Sequence, residues 1–371
     1  MPRHAPTAGP IPPCRSPRRK HTQRNAVEIR TRAHSRPLKC SGAIEATNTR
    51  HTLRRMDPTS EPRDTRGAVM TPMPPSTPQR LLVATDFSPA AIQAGQRAAL
   101  LAQKNQGQLR LQHVMSNSLM DDLRAWTSPG QPWQERVHQQ AMAALKAEAS
   151  HLKNASHVGA IETQLTDGAP VQMITEATNE WPADLLVVGA RGDNPLHHLL
   201  IGTTAERLLS KARRPMLVVR SAPEGDYQRV LVPMDFSPWS ETAIPMARAV
   251  APGAHLVLMH SFSIPFEEKL RFAGVDDDTL GHYRERARQD ARDHLNALID
   301  RHSLQPQDFT LSLTEGDAPA HILRVATERE CDLIVIGKHG RQAAEELLLG
   351  SVTRHVLAEA HCDVLVSAHR Q

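Results

Sequence analysis

Two stretches of the 371-residue chain repeat one spacing of small residues: Gly189, Gly192, Gly202 and Thr203 in "GARGDNPLHHLLIGT", and Gly337, Gly340, Gly350 and Ser351 in "GKHGRQAAEELLLGS". In each, two glycines three apart end an apolar run, nine residues intervene, and a third glycine precedes a hydroxyl residue. Glycine permits positive φ and lets an anion approach the backbone, and a helix that opens on glycine and a hydroxyl offers free amides and a positive dipole end. The chemistry this pattern suits is phosphate binding, with the glycines as two walls of one cradle. The same spacing would also serve as a tight strand-to-helix turn, and "TTAE" reads as a capping box with Thr203 as cap and Glu206 as its partner. It is neither a Walker A loop nor a GxGxxG fingerprint.

Asp86 in "TDFSP" and Asp235 in "MDFSP" end the first apolar run of each half. There an Asp could bond a ribose or base, or hold a metal through water. It could equally support the turn in which Ser88–Pro89 and Ser237–Pro238 read as a helix N-cap followed by Pro at the first turn. His113 and His260 end apolar strands and read as core or crevice groups. No metal site is read from the twenty histidines: the adjacent His197 and His198 point to different helix sectors and have no acid at ligand spacing. Neither a Ser-His-Asp nor a Cys-His arrangement is indicated. The four cysteines, Cys14, Cys40, Cys331 and Cys362, lack CxxC pairing and read as reduced thiols.

The elements that must position these residues are written twice. "RLLVATDFSPAA" from Arg80 answers to "RVLVPMDFSPWS" from Arg229, and "ADLLVVGARG" to "CDLIVIGKHG", at a constant offset of 147 to 149 residues. So long a period means two tandem domains. Apolar runs Leu81 to Ala84, Leu109 to Val114, Ile161 to Leu165, Leu185 to Val188 and Met216 to Val219 predict five strands alternating with helices, and the second unit repeats them. Near-continuous Val, Leu and Ile runs fit parallel strands covered on both faces, hence a doubly wound α/β fold with its ligand at the carboxyl ends of the strands. Ser116 to Trp133 and Ser261 to Leu280 read as longer connections, able to form lids. Cys331 and Cys362 immediately precede neighbouring strands and are expected close together.

The predicted domains are 78–220 and 229–371, joined by a short linker, 221–228, and preceded by a disordered, basic, Pro/Arg-rich extension, 1–77. Residues 1–69 hold fifteen basic residues against five acidic, leaving the rest at −6, so the overall +4 is no argument for nucleic-acid binding. The extension fits a transit peptide, a basic arm, or sequence upstream of a natural start at Met70 or Met73. No apolar run reaches the ~18 residues of a membrane span, and a cytoplasmic location is expected.

With those residues in hand, each unit resembles a universal stress protein domain of the nucleotide-binding subclass, most specifically in the doubled glycine spacing. The resemblance implies a five-stranded parallel Rossmann-like sheet in order 3-2-1-4-5, ATP with Mg²⁺ in the crevice, pairing through the last strand as an intramolecular pseudo-dimer or homodimer, and an unknown client protein. It implies one site at Asp86, Val114, Gly189, Gly192, Gly202 and Thr203, and another at Asp235, Gly337, Gly340, Gly350 and Ser351. Ala84 stands where repeat two and many binders have proline (Pro233), and Ser261 replaces a valine. The reading is a regulatory ATP-binding module; a slow ATPase or nucleotidyl-transfer enzyme is the alternative. Lys338 and Arg341 flank the second glycine loop, so the second crevice is expected to bind ATP more tightly.

Overall fold

The structure, a computed structural model, describes residues 77–117, 133–191, 201–264, 266–340 and 349–368. The basic extension up to residue 76, most of the Ser116–Trp133 connection, Gly192, Asp193, His197, His198 and Arg341 lie outside the described residues. The first unit runs β1 (Arg80–Ala84), α1 (Pro89–Asn105), β2 (Gln108–Ser116), α2 (Trp133–Ser156), β3 (Ile161–Gly168), α3 (Pro170–Glu180), β4 (Leu185–Gly189), α4 (Thr203–Lys211) and β5 (Met216–Val219). The second runs β6 (Arg229–Pro233), α5 (Pro238–Glu241), α6 (Ala243–Val250), β7 (His255–Phe262), α7 (Glu267–Phe272), α8 (Asp277–Arg301), β8 (Phe309–Glu315), α9 (Ala318–Glu328), β9 (Leu333–Gly337), α10 (Ser351–Glu359) and β10 (Asp363–Ser367). Where the first unit has the single helix α1, the second has two. Pro245, four residues after Glu241, has no N–H to give the Glu241 carbonyl, so the helix breaks there.

All ten strands join one sheet in the order β3-β2-β1-β4-β5-β10-β9-β6-β7-β8. Within each unit the order is the predicted 3-2-1-4-5 and every pairing is parallel. The join is antiparallel, β5 against β10, with Val218 opposite Val364, Leu217 opposite Leu365 and Met216 opposite Val366. Leu217 and Leu365 are counterparts in the two units, so the contact is isologous about a pseudo-twofold axis, and each unit covers the other's open strand edge. Alternation of side chains across the strands splits the interior into two apolar layers. Leu81, Val83, Leu185, Leu217, Val230, Val335 and Leu365 face one side, and Leu82, Leu186, Val218, Leu231, Ile334 and Val364 face the other. Each layer runs through both units.

Asp184 and Asp332, which precede β4 and β9, fix the strand beginnings. Asp184 Oδ2 accepts the Gln79 and Arg80 amides at 3.0 and 3.1 Å, and Asp332 accepts the Gln228 and Arg229 amides at 2.7 and 3.1 Å. The linker is anchored as well. Tyr227 is buried and donates its hydroxyl to Asp363 Oδ2 at 2.6 Å, while the Arg220 amide donates to Asp363 Oδ1 at 2.8 Å. Arg97 of α1 brings Nε within 3.5 Å of the same carboxylate, lies over the Tyr227 ring at 4.0 Å and donates to the Gly225 carbonyl.

Candidate functional site

β1 pairs with β2 on one side and β4 on the other, and the chain leaves it in opposite directions at this point, opening a crevice beyond the carboxyl ends. The "DFSP" turn forms its floor. Phe87 (φ 63) and its counterpart Phe236 (φ 61) both take the left-handed conformation that bulky side chains rarely adopt, and such outliers collect at functional sites. The surrounding bonds over-determine it. Asp86 Oδ1 accepts the Ser88 amide at 3.1 Å, Thr85 Oγ1 accepts the Phe87 amide at 3.1 Å, and Ser88 caps α1 by accepting the Ala91 amide at 3.3 Å. His113 packs on Phe87, ring centroids 4.5 Å apart, and donates from Nδ1 to the Thr85 carbonyl at 2.8 Å. Unit two repeats the device with Phe236, His260 and Asp235, whose Oδ1 accepts the Ser237 amide at 3.0 Å and the Ser237 hydroxyl at 2.6 Å. Both aspartates therefore support the turn with one oxygen.

In unit one the turn opens onto a cavity of about 340 Å³. Asp86, Val114, Gly189, Gly202 and Thr203 line it together, with Arg191, a cation that the sequence places inside the first glycine loop, and with Thr85 and Gln112, which the sequence does not mark. In unit two Gly340 sits against the Asp235 carboxylate, where an added Cβ would meet Oδ2 at 2.8 Å, and Gly350 donates its amide to the Lys338 carbonyl at 3.0 Å. Gly202 makes the same bond to the Ala190 carbonyl at 2.9 Å. Gly337 and Gly350 are thus tied to one turn, and Ser351 begins α10 beside them.

None of the described motif glycines has the positive φ that the spacing suggested. Gly202 and Gly350 have φ −58, so neither needs positive φ. Gly189 and Gly337 make room for the helix start opposite them: a Cβ on Gly189 would lie 2.6 Å from the Ala90 carbonyl carbon, and one on Gly337 3.0 Å from that of Trp239. The capping box is also absent, since Gly202 occupies the cap without a side-chain bond and Thr203 is the first helical residue. Thr203 accordingly faces the cavity instead of closing the helix end.

Below the first turn lies Glu148 of α2, which accepts the Thr85 hydroxyl at 3.2 Å. Burial pushes its carboxyl up, the Thr85 hydrogen bond works against this, and the Asp86 charge adds to the rise. Gly95 leaves the space it occupies, as a Cβ there would meet Glu148 Oε1 at 3.1 Å. The second unit has Met234 and Ile244 in place of Thr85 and Gly95, and its floor is apolar.

Lys338 does not flank a phosphate position as expected. It is buried, and its Nζ donates to the Ser210 and Ala212 carbonyls at 3.0 and 3.1 Å, at the C-terminal end of α4 in the other unit. His339 is buried too and packs edge-on to Trp239 at 4.8 Å, whereas its counterpart Arg191 is exposed at the first cavity. Lys338 therefore gives no basis for tighter binding in the second crevice, while Arg341 lies outside the described residues.

Comparison with known proteins returns one family twice. The universal stress protein family matches residues 78–220 and again 226–367. A universal stress protein of Mycobacterium tuberculosis is 29% identical over 241 residues, covering 63% of this chain and 78% of that protein. One of Mycolicibacterium smegmatis is 25% identical over 304 residues, covering 78% and 97%. The crystal structure of a universal stress protein from Archaeoglobus fulgidus superposes with a TM-score of 0.58 at 17% identity, covering 78% of this chain and 97% of that one, a likeness of fold.

Proposed function

The chain belongs to the universal stress protein family, and from that premise we propose that it binds ATP with Mg²⁺ in its crevices and acts as a cytoplasmic stress-response regulator. The observation that carries the reading is the convergence of Asp86, Val114, Gly189, Gly202 and Thr203 on one cavity of about 340 Å³. That size falls within the range of small-molecule sites. The start of α4 offers amides and a positive dipole end to a phosphate, Arg191 adds a cation, and Asp86 and Thr203 supply the oxygen donors that magnesium prefers. Bound nucleotide can then act as a signal only through contacts that differ between states, which the loops around the crevice would pass to a client protein.

The first crevice is the tighter site in this reading, because it keeps Arg191 at its mouth while Lys338 and His339 of the second are turned inward. Calorimetric titration of the full chain with ATP and Mg²⁺ tests this. Binding is expected, and Gly202→Val should weaken the tighter phase by about tenfold or more. Absence of binding at millimolar nucleotide would overturn the reading, and loss of the tighter phase on Gly350→Val instead would reverse the ranking.

A further inference from the structure

Lys338 occupies an unusual place between the two crevices. Its carbonyl accepts the Gly350 amide at 3.0 Å, and its own amide donates to the Ser367 carbonyl at 3.2 Å, so its backbone is part of the second crevice's wall. Its ammonium crosses the junction and binds the last carbonyls of α4, Ser210 O at 3.0 Å and Ala212 O at 3.1 Å. These are groups that a helix cannot satisfy internally, and a cation there is favoured by the helix dipole. The other end of the same helix is Gly202 and Thr203, in the first cavity. A helix of nine residues spans about 13 Å. One side chain and one short helix thus connect the wall of one crevice to the wall of the other.

We propose that Lys338 and α4 form a strut that couples the two crevices, so that a ligand filling the second changes the first. The coupling of ligands rests on the nucleotide reading above, whereas the mechanical link does not. A phosphate-bearing ligand that presses on Gly350 displaces the Lys338 carbonyl. The ammonium then holds α4 differently, and the amides at Gly202 and Thr203 change in position or stiffness. The link is one-sided in construction. Ala190, the counterpart of Lys338, makes the same backbone bond to Gly202 but has no side chain to send across to α10. Its energetic effect is nonetheless mutual, since coupling between two binding equilibria is reciprocal.

Hydrogen exchange of the full chain separates the possibilities. Without ligand, Lys338→Met should speed exchange at the C-terminal turn of α4 by about fivefold, the lower end of typical coupling, with Lys338→Arg restoring most of the protection and α10 unaffected. Equal acceleration in α10 would mean general loosening and would overturn the strut. Gly350→Ala, whose Cβ would press on the Lys338 carbonyl at 3.3 Å, should alter α4 exchange in the parent chain and have no further effect once Lys338→Met is present. Independent, additive effects would also overturn it. For the ligand, ATP with Mg²⁺ added to the Asp86→Ala chain fills the second crevice, and α4 exchange should change by about fivefold only where Lys338 is retained. If nucleotide binds and α4 is indifferent, the coupling fails and the nucleotide reading stands. If no nucleotide binds the Asp86→Ala chain although the parent chain binds it, the second crevice takes no nucleotide and the ligand coupling fails. If the parent chain also binds none, the nucleotide reading fails, and the ligand-free Gly350→Ala cycle decides the strut.

Discussion

After the first motif glycine the units diverge: Ala190 and exposed Arg191 in one, buried Lys338 and buried His339 in the other. The backbone bonds around them, Gly202 to Ala190 and Gly350 to Lys338, differ by only 0.1 Å. The junction is divided in the same way. Arg97 of α1 meets Asp363 before Leu365, whereas the counterpart positions hold Met246, which is buried, and Pro215. One unit has an open cavity with a cation at its edge, and the other sends Lys338 to its partner and packs His339 on its own Trp239. The backbone scaffold can thus be held constant while side chains reassign a position from the cavity edge to the interior, or from a methyl group to a contact between units.

The strongest way to break this comparison is at Asp363. Burial pushes its carboxyl up, while the Tyr227 hydroxyl, the Arg220 amide and Arg97 act to hold it down. Asp363→Ala would leave the Arg97 guanidinium, 8% exposed, without its anion, and two donors without an acceptor. A loss of about 3–5 kcal/mol is expected in urea unfolding followed by circular dichroism. Met246→Ala, at the buried counterpart of Arg97, should cost about 2–3 kcal/mol. If the two costs were equal, Asp363 would not be the stronger support.

The next test compares the first motif glycines. Gly189→Ala forces a Cβ to within 2.6 Å of backbone that cannot swing aside, and Gly337→Ala to within 3.0 Å. Overpacking of this kind costs about 1–3 kcal/mol, with Gly189→Ala at the upper end and Gly337→Ala at the lower. The reverse order in urea midpoints would show that Trp239 packs more rigidly than Ala90.

The doubly wound α/β fold was legible because near-continuous apolar runs alternating with helical stretches, repeated at one offset, fit parallel strands covered on both faces; the strand order came from the family resemblance. Within the first site, Asp86, Val114, Gly189, Gly202 and Thr203 were legible from the family spacing. Arg191 was visible only as a cation inside the loop, and Gln112 was not visible, since an amide midway along a buried strand has no spacing to mark it. The purpose of the glycines was not legible either: closeness to Ala90 or Trp239 is a contact between segments about a hundred residues apart. Lys338 misled for a similar reason. Its charge suggested phosphate, but its direction depends on where α4 of the other unit ends. Phe87 and Phe236 in left-handed conformation could not be foreseen from "DFSP", where Gly or Asn would be the usual residue for that backbone.

Cysteine placement also separates the units, as Cys331 and Cys362 both belong to the second and have Ala183 and Arg214 as counterparts. Both are buried. β9 and β10 pair with Leu333 opposite Asp363, which brings the residues just before them together. Burial and then the Asp332 charge raise the Cys331 thiol to about 11, and burial with the Asp363 charge raises Cys362 to about 12. Thiolate formation is thus disfavoured in the folded chain. The resulting stability is complete below the unfolded thiol value of 9.0 and is lost as pH rises through 11 and 12. Alkylation mapped by mass spectrometry at pH 8 should leave both unmodified in the native protein. Above pH 9 the unfolding midpoint should fall more steeply than in a Cys331→Ala, Cys362→Ala chain, and equal slopes would count against the assignment.

The smallest effect is expected from the charge pair that spans the pseudo-twofold axis. Glu206 of α4 and Arg354 of α10 are counterparts, and Arg354 Nε lies 3.8 Å from Glu206 Oε1. Two copies of either unit paired in the same way would put Glu against Glu or Arg against Arg, so the sequence difference favours the mixed pair that a single chain provides. Both side chains are about half exposed, at 45% and 56%, where water and salt screen most of the attraction. Glu206→Arg should therefore cost only about 0.5 kcal/mol. Adding Arg354→Glu should restore the parent stability by exchanging the charges across the axis. In about 1 M salt, where the screening length is ~3 Å, all three chains should unfold together. A loss above ~1 kcal/mol that persisted in salt would instead rank this pair with Arg97 and Asp363 as a main support of the junction.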